Sequence, residues 1–116
     1  MIEAEITLLR KSEGGRDIPD GMFRDLRYRP HIVIGNPTLR QAVIAEGNRL
    51  TEHYLGVAFS DGPQHIDPGQ PVRTTMALVY YPHVDYGAAV PGVTFTLREG
   101  ARIIGFGKIE RRWTEY

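Results

Sequence analysis

Side chains able to do chemistry occur in small groups along the chain. Ser60, Asp61 and His65 are the residue types of a nucleophile, an orienting acid and a general base. No Gly-x-Ser-x-Gly elbow lifts the serine out, and Asp61-Gly62-Pro63 reads first as a turn. His65-Ile66-Asp67 and His83-Val84-Asp85 each put two ligand types on one side of an extended segment. A metal site takes three or four converging groups, so both read as turn residues. Glu3 and Glu5 share a strand face, as acid/base carboxylates do, but a solvated outer face accounts for them more simply. Arg24, Arg27, Tyr28 and Arg29 set cations around an aromatic ring, a combination that grips phosphate and stacks a base. The plainer alternative is a solvated loop whose Tyr28-Arg29-Pro30 anchors the fold. Lys108, Arg111, Arg112 and Trp113 form a basic-aromatic tail suited to docking on a partner or to covering a sheet edge. None of these makes a catalytic set. The expectation is a protein with no enzymatic activity, no cofactor and no metal.

Composition bounds the rest. The 116 residues are expected to form one domain spanning 1–116, long enough to bury a core. With 14 basic and 14 acidic residues, no strong overall pull on nucleic acid or membrane follows. The absence of cysteine excludes disulfides, thiolate chemistry and cysteine zinc sites. No apolar run is long enough to span a membrane, and Met1-Ile2-Glu3-Ala4-Glu5 lacks a secretory signal's basic start and apolar core. A cytoplasmic location is the default.

The elements that must position these residues read as strands. Ile2, Ala4, Ile6 and Leu8 alternate with polar residues, predicting a strand over 2–11. No period holds from Asp17 to Pro30. His31 to Ile34 reads as a short strand, Tyr54 to Ser60 as another, and Val72 to Tyr81 as the cleanest long one. The segment Leu39 to Tyr54 admits a helix face of Leu39, Ala42, Val43 and Leu50 or a strand over 41–45 turning at Glu46-Gly47-Asn48; strand is favoured at its start and the remainder stays open. Val93, Phe95 and Leu97 alternate with Thr94, Thr96 and Arg98, and Glu99-Gly100 supplies the turn of a hairpin. The return strand puts Ala101, Ile103, Gly105, Gly107 and Ile109 on one face, where the glycines imply a bend or a close backbone approach. Short strands punctuated by Gly and Pro predict an all-β barrel or sandwich. Its core draws on Ile6, Leu8, Ile32, Ile34, Val57, Phe59, Met76, Leu78, Phe95, Leu97, Ile103 and Ile109.

The order of motifs adds to this. Ile2-Glu-Ala-Glu-Ile6, Glu13-Gly-Gly-Arg16, Tyr28-Arg-Pro30, Pro68-Gly69 and Arg98-Glu-Gly-Ala-Arg-Ile-Ile-Gly-Phe-Gly107 follow one another at spacings that resemble the third domain of elongation factor Tu. The resemblance covers nearly the whole chain. It implies a six-stranded antiparallel Greek-key β-barrel with an insertion near 39–54 and a tail from Glu110. No Gly-x-x-x-x-Gly-Lys-Ser/Thr loop is present, so GTP binding in cis is not expected. The resemblance implies a binding module. Contacts to the tRNA T-stem backbone carry over to His31, Tyr81, Glu99 and Gly100. The family usually has Gln at the first position and often Lys at the second. Arg98 and Arg102 beside the tip partly replace the missing cation, with Arg27 and Arg29 as further candidates. The expected function is protein–protein interaction, by a partner or self-association, linked to translation. The alternative is RNA binding through the 98–102 hairpin tip. An isolated barrel must also cover the apolar surface that would meet a GTPase domain, by the insertion, by self-association or by a partner.

Overall fold

The structure is a computed structural model that describes residues 1–42, 44–45, 49–50 and 52–113. Six strands close into an antiparallel barrel: β1 (Ile2–Leu8), β2 (His31–Ile34), β5 (Leu55–Asp61), β6 (Val72–Leu78), β7 (Thr94–Glu99) and β8 (Arg102–Arg112). Two short strands, β3 (Ile44–Ala45) and β4 (Arg49–Leu50), pair separately within the segment that follows β2. The only helix among the described residues is a single 3-10 turn, Lys11–Glu13. No helix there is long and apolar enough to cross a membrane.

Around the barrel the order is β1-β6-β5-β2-β7-β8, returning to β1. Strands β2, β5 and β6 run as neighbours, and β1 comes back to lie beside β6, which is the Greek-key arrangement. Because the cylinder closes, each of its six strands is hydrogen-bonded on both sides. The alternation read in β1 holds, with Ile2, Ala4, Ile6 and Leu8 all buried. They meet Ile32, Val57, Phe59, Met76, Phe95, Leu97 and Ile109 in one core. Each such large side chain contributes roughly 1.5–3 kcal/mol on burial, before chain entropy is subtracted.

The glycines of β8 sit where the staves come closest. A Cβ on Gly105 would lie 2.8 Å from the Thr7 carbonyl oxygen. On Gly107 it would lie 2.7 Å from Cζ of Phe95 and press on the Glu5 carbonyl. At the hairpin tip Gly100 has φ +59°, the left-handed conformation that a tight turn places on glycine.

Several expectations are corrected. The register of β7 against β8 shifts between Leu97 and Arg98, so Leu97 faces Gly105 while Arg98 faces Ile103. The extra residue, Ile104, enters the core, and Ile103 is buried opposite Arg98 instead. Ile34 and Leu78 pack only partly buried against the core. Strand β6 stops at Leu78 rather than Tyr81, and β1 stops at Leu8. Of the two readings of the insertion, the strand one holds at Ile44–Ala45, which pairs with Arg49–Leu50, while Val43 and the expected turn at 46–48 lie outside the described residues.

Candidate functional site

Strand β7 alternates, so Thr96 and Arg98 face outward from a core side lined by Phe95 and Leu97. Both are nevertheless buried, Arg98 completely. An outward residue on a barrel is buried only where chain lies over it, and here that chain is the exit of the 39–54 insertion. Arg98 donates from Nη1 to Glu52 Oε1 at 2.7 Å and from Nη2 to Glu52 Oε2 at 2.7 Å. It also donates to the Tyr54 hydroxyl at 3.0 Å and to Thr96 Oγ1 at 2.9 Å. Desolvation opposes the buried charge, but Glu52 and Tyr54 outweigh it and hold the guanidinium pKa above its ordinary value. Tyr54 also stands edge-on to His31, with ring centroids 5.9 Å apart. The entry of the insertion lies along β8, where the Arg40 guanidinium sits 5.1 Å from the centre of the Phe106 ring. Arg98 is therefore not the exposed cation expected beside the tip. It is the internal anchor of the insertion on the barrel wall.

The tip itself gathers three of the sequence motifs. Glu99 accepts from Arg16 Nη1 and, at 2.7 Å, from the Tyr28 hydroxyl. Burial, then the bond to Glu99, pushes the Tyr28 hydroxyl pKa upward, so it stays a protonated donor. The hydrogen bond to Glu99 likewise raises Arg16. Arg102 donates to the carbonyls of Gly14 (3.1 Å) and Gly15 (2.7 Å). The Gly-Gly-Arg, Tyr-Arg-Pro and hairpin-tip residues thus lock one another at one end of the barrel. Tyr28 continues inward as a stack with Phe23 and Phe59.

Of the remaining expected residues, Arg29 donates to the Leu26 carbonyl at 3.1 Å, and Arg27 is exposed without a hydrogen bond among the described residues. Tyr81 is not at the tip. It follows β6 at the other end, where Arg112 of β8 lies 6.0 Å from its ring centre. The sequence-predicted set therefore divides between two ends of the cylinder. The Ser60, Asp61 and His65 group does not assemble. Ser60 donates to the Thr75 carbonyl, Asp61 accepts from the Gly62 amide, and His65 bridges Asp20 and Asp67. The hydrogen bonds to Asp20 and Asp67 raise the His65 pKa. His83-Val84-Asp85 also serves a turn, with Asp85 accepting from the Gly87 amide at 2.7 Å.

Sequence reasoning missed a buried loop residue that shapes the second end. Tyr86 is 1 % exposed, donates to the Gly56 carbonyl at 2.6 Å and accepts from the Tyr80 amide at 3.2 Å. Arg112 donates to the carbonyls of Tyr86 (2.7 Å) and Ala89 (3.2 Å). Tyr80, Tyr81 and Val90 stay 52 %, 56 % and 42 % exposed on this braced loop. The Tyr80 ring lies over Gly56, where a Cβ would come within 2.5 Å of it. The loop has no period to betray Tyr86, and nothing local separates it from the exposed Tyr80 and Tyr81.

Fold and site together define a closed Greek-key barrel with one self-locked end and one end that displays aromatics. No protein-family model matches the chain.

Proposed function

We propose that this barrel is a non-enzymatic protein-binding module, related through its motif order to the third domain of elongation factor Tu and linked to translation. The observation that carries the reading is the exposed Tyr80–Tyr81 pair on a loop fixed by Tyr86 and Arg112. Tyrosine and arginine dominate binding hot spots, and a loop already held rigid loses little further freedom on association. The alternative, RNA backbone contact through the 98–102 tip, draws less support. That mode needs free cations, and Arg98 is occupied by Glu52, Arg16 by Glu99 and Arg102 by two carbonyls. The dispersed partners of Ser60, Asp61 and His65 support the non-enzymatic part of the reading.

The test compares the parent with a Tyr80→Ser/Tyr81→Ser variant of unchanged circular dichroism. Sedimentation velocity reads self-association, and affinity capture reads partners. The reading requires a complex or dimer that the parent forms and the variant does not. Identical behaviour of the two proteins removes it.

A further inference from the structure

The self-locked end carries a feature that the aromatic face does not use. An open groove of about 590 Å³ runs beside the tip, lined by the guanidinium-bearing side chains of Arg16, Arg24 and Arg27 and floored in part by Tyr28. Two of the three cations are positioned by the fold. Arg24 donates from Nε to the Gly62 carbonyl at 2.7 Å and from Nη1 to Gln64 at 3.3 Å. Arg16 is held by the Asp17 carbonyl and Glu99. Arg24 is bonded through Nε and Nη1 and leaves its Nη2 without a hydrogen bond among the described residues, and exposed Arg27 leaves its whole head group.

The backbone that presents them is unusual. Asp25 and Leu26 both adopt left-handed conformations, with φ of +66° and +59°. Such residues persist only where their surroundings over-determine them, and they cluster at binding sites. Here the Leu26 amide donates to the Phe59 carbonyl at 2.8 Å, and Arg29 donates to the Leu26 carbonyl. This turn puts Arg24 and Arg27 on either side of the strained pair, both lining the groove.

We infer that the groove binds an acidic peptide segment of a partner protein, with side-chain carboxylates seated on Arg24 and Arg27. The inference rests on the protein-binding reading and adds a second contact at the opposite end of the barrel. Guanidinium forks match carboxylate geometry and hold it with charge-assisted hydrogen bonds. The groove also contains Asp20 and Asp25. Two fixed carboxylates repel a continuous polyanion such as RNA, whereas a peptide can place separate carboxylates on the cations and leave a neutral residue beside each aspartate. Only His65 compensates Asp20, and no cation is bonded to Asp25 among the described residues.

The probe is a fluorescein-labelled Glu-Gly-Glu-Gly-Glu-Gly peptide, with Gln-Gly-Gln-Gly-Gln-Gly and a hexauridylate as comparisons, read by anisotropy at low salt on the full chain. Saturable binding of the alternating glutamate peptide is expected, at least about tenfold tighter than either comparison, a margin of ~1.4 kcal/mol. Arg27→Glu, a change at an exposed side chain with no hydrogen bond to lose, weakens it at least about tenfold, by the same conversion. Arg24→Gln does the same, with folding checked by circular dichroism because Arg24 also ties the Gly62 loop. Hexauridylate binding as tightly as the peptide, or peptide binding indifferent to Arg27→Glu, overturns the inference. Loss of the peptide site with capture through Tyr80 and Tyr81 intact refutes the groove alone. Loss of both refutes the protein-binding reading.

Discussion

Truncating Glu52 to alanine gives the most informative perturbation of this fold. Glu52 is 12 % exposed and Arg98 is not exposed at all, and both oxygens of the carboxylate are engaged at 2.7 Å. In Glu52→Ala the guanidinium stays inside without its counter-ion, keeping, among the described residues, Tyr54 and Thr96 as acceptors. Removing one member of a buried ion pair costs about 3–5 kcal/mol. Unit charges roughly 4 Å apart at an effective dielectric near 20 give ~4 kcal/mol, the same range. Against the roughly 5–15 kcal/mol that holds a typical domain together, that is a large share. Thermal melting should fall on the order of 10–20 °C for a chain of this size. The assay is urea unfolding followed by circular dichroism. Arg98→Met/Glu52→Leu provides the decisive comparison, because an apolar replacement leaves no charge stranded. It should be clearly more stable than Glu52→Ala. A Glu52→Ala protein within about 0.5 kcal/mol of the parent, the range of an inconsequential surface change, would refute the claim that this pair anchors the insertion.

Two further outcomes follow from the geometry. Gly107→Ala drives a methyl against the Phe95 ring and the Glu5 carbonyl, and overpacking of this kind should lower stability by about 1–3 kcal/mol in the same urea assay; an unchanged midpoint would show that the staves have room to part. His65 should titrate above the ordinary histidine value of 6.5, because Asp20 and Asp67 favour its protonated form. The folded pKa is the raised one, so the stabilisation is whole below the unfolded value and fades as pH rises through the folded one. An NMR titration reads the shift, Asp20→Asn should reduce it, and a value at or below the ordinary one contradicts the bridge.

The strands were legible because period-two alternation survives wherever one face is buried, as it does along Ile2–Leu8. The close approach at Gly105 and Gly107 was legible for a related reason: a missing side chain on an inward face has few other uses. What stayed hidden was set by distant chain. Nothing local distinguishes Arg98 from any polar strand residue, since its burial comes from Glu52, 46 positions earlier. The displaced register that exchanges Ile103 for Ile104 leaves no mark in a run of two isoleucines. Phe23 and Tyr86 reach the core from stretches with no period at all. The arginine groove was half visible: Arg24, Arg27 and Tyr28 stand together in sequence, while Arg16 and Gln64 join them only through the fold.

The place of β1 has a bearing on how the protein comes into being. Its seven residues are made before the other staves, yet they pair with Val72–Leu78 on one side and Arg102–Arg112 on the other. This strand has no native neighbour in the barrel until Val72–Leu78 has been synthesised. Contacts this remote along a chain carry a loop-closure penalty that slows all-β domains to roughly milliseconds to seconds. During translation this stave must therefore wait, apolar side uncovered, and the cylinder shuts only after β8 has left the ribosome.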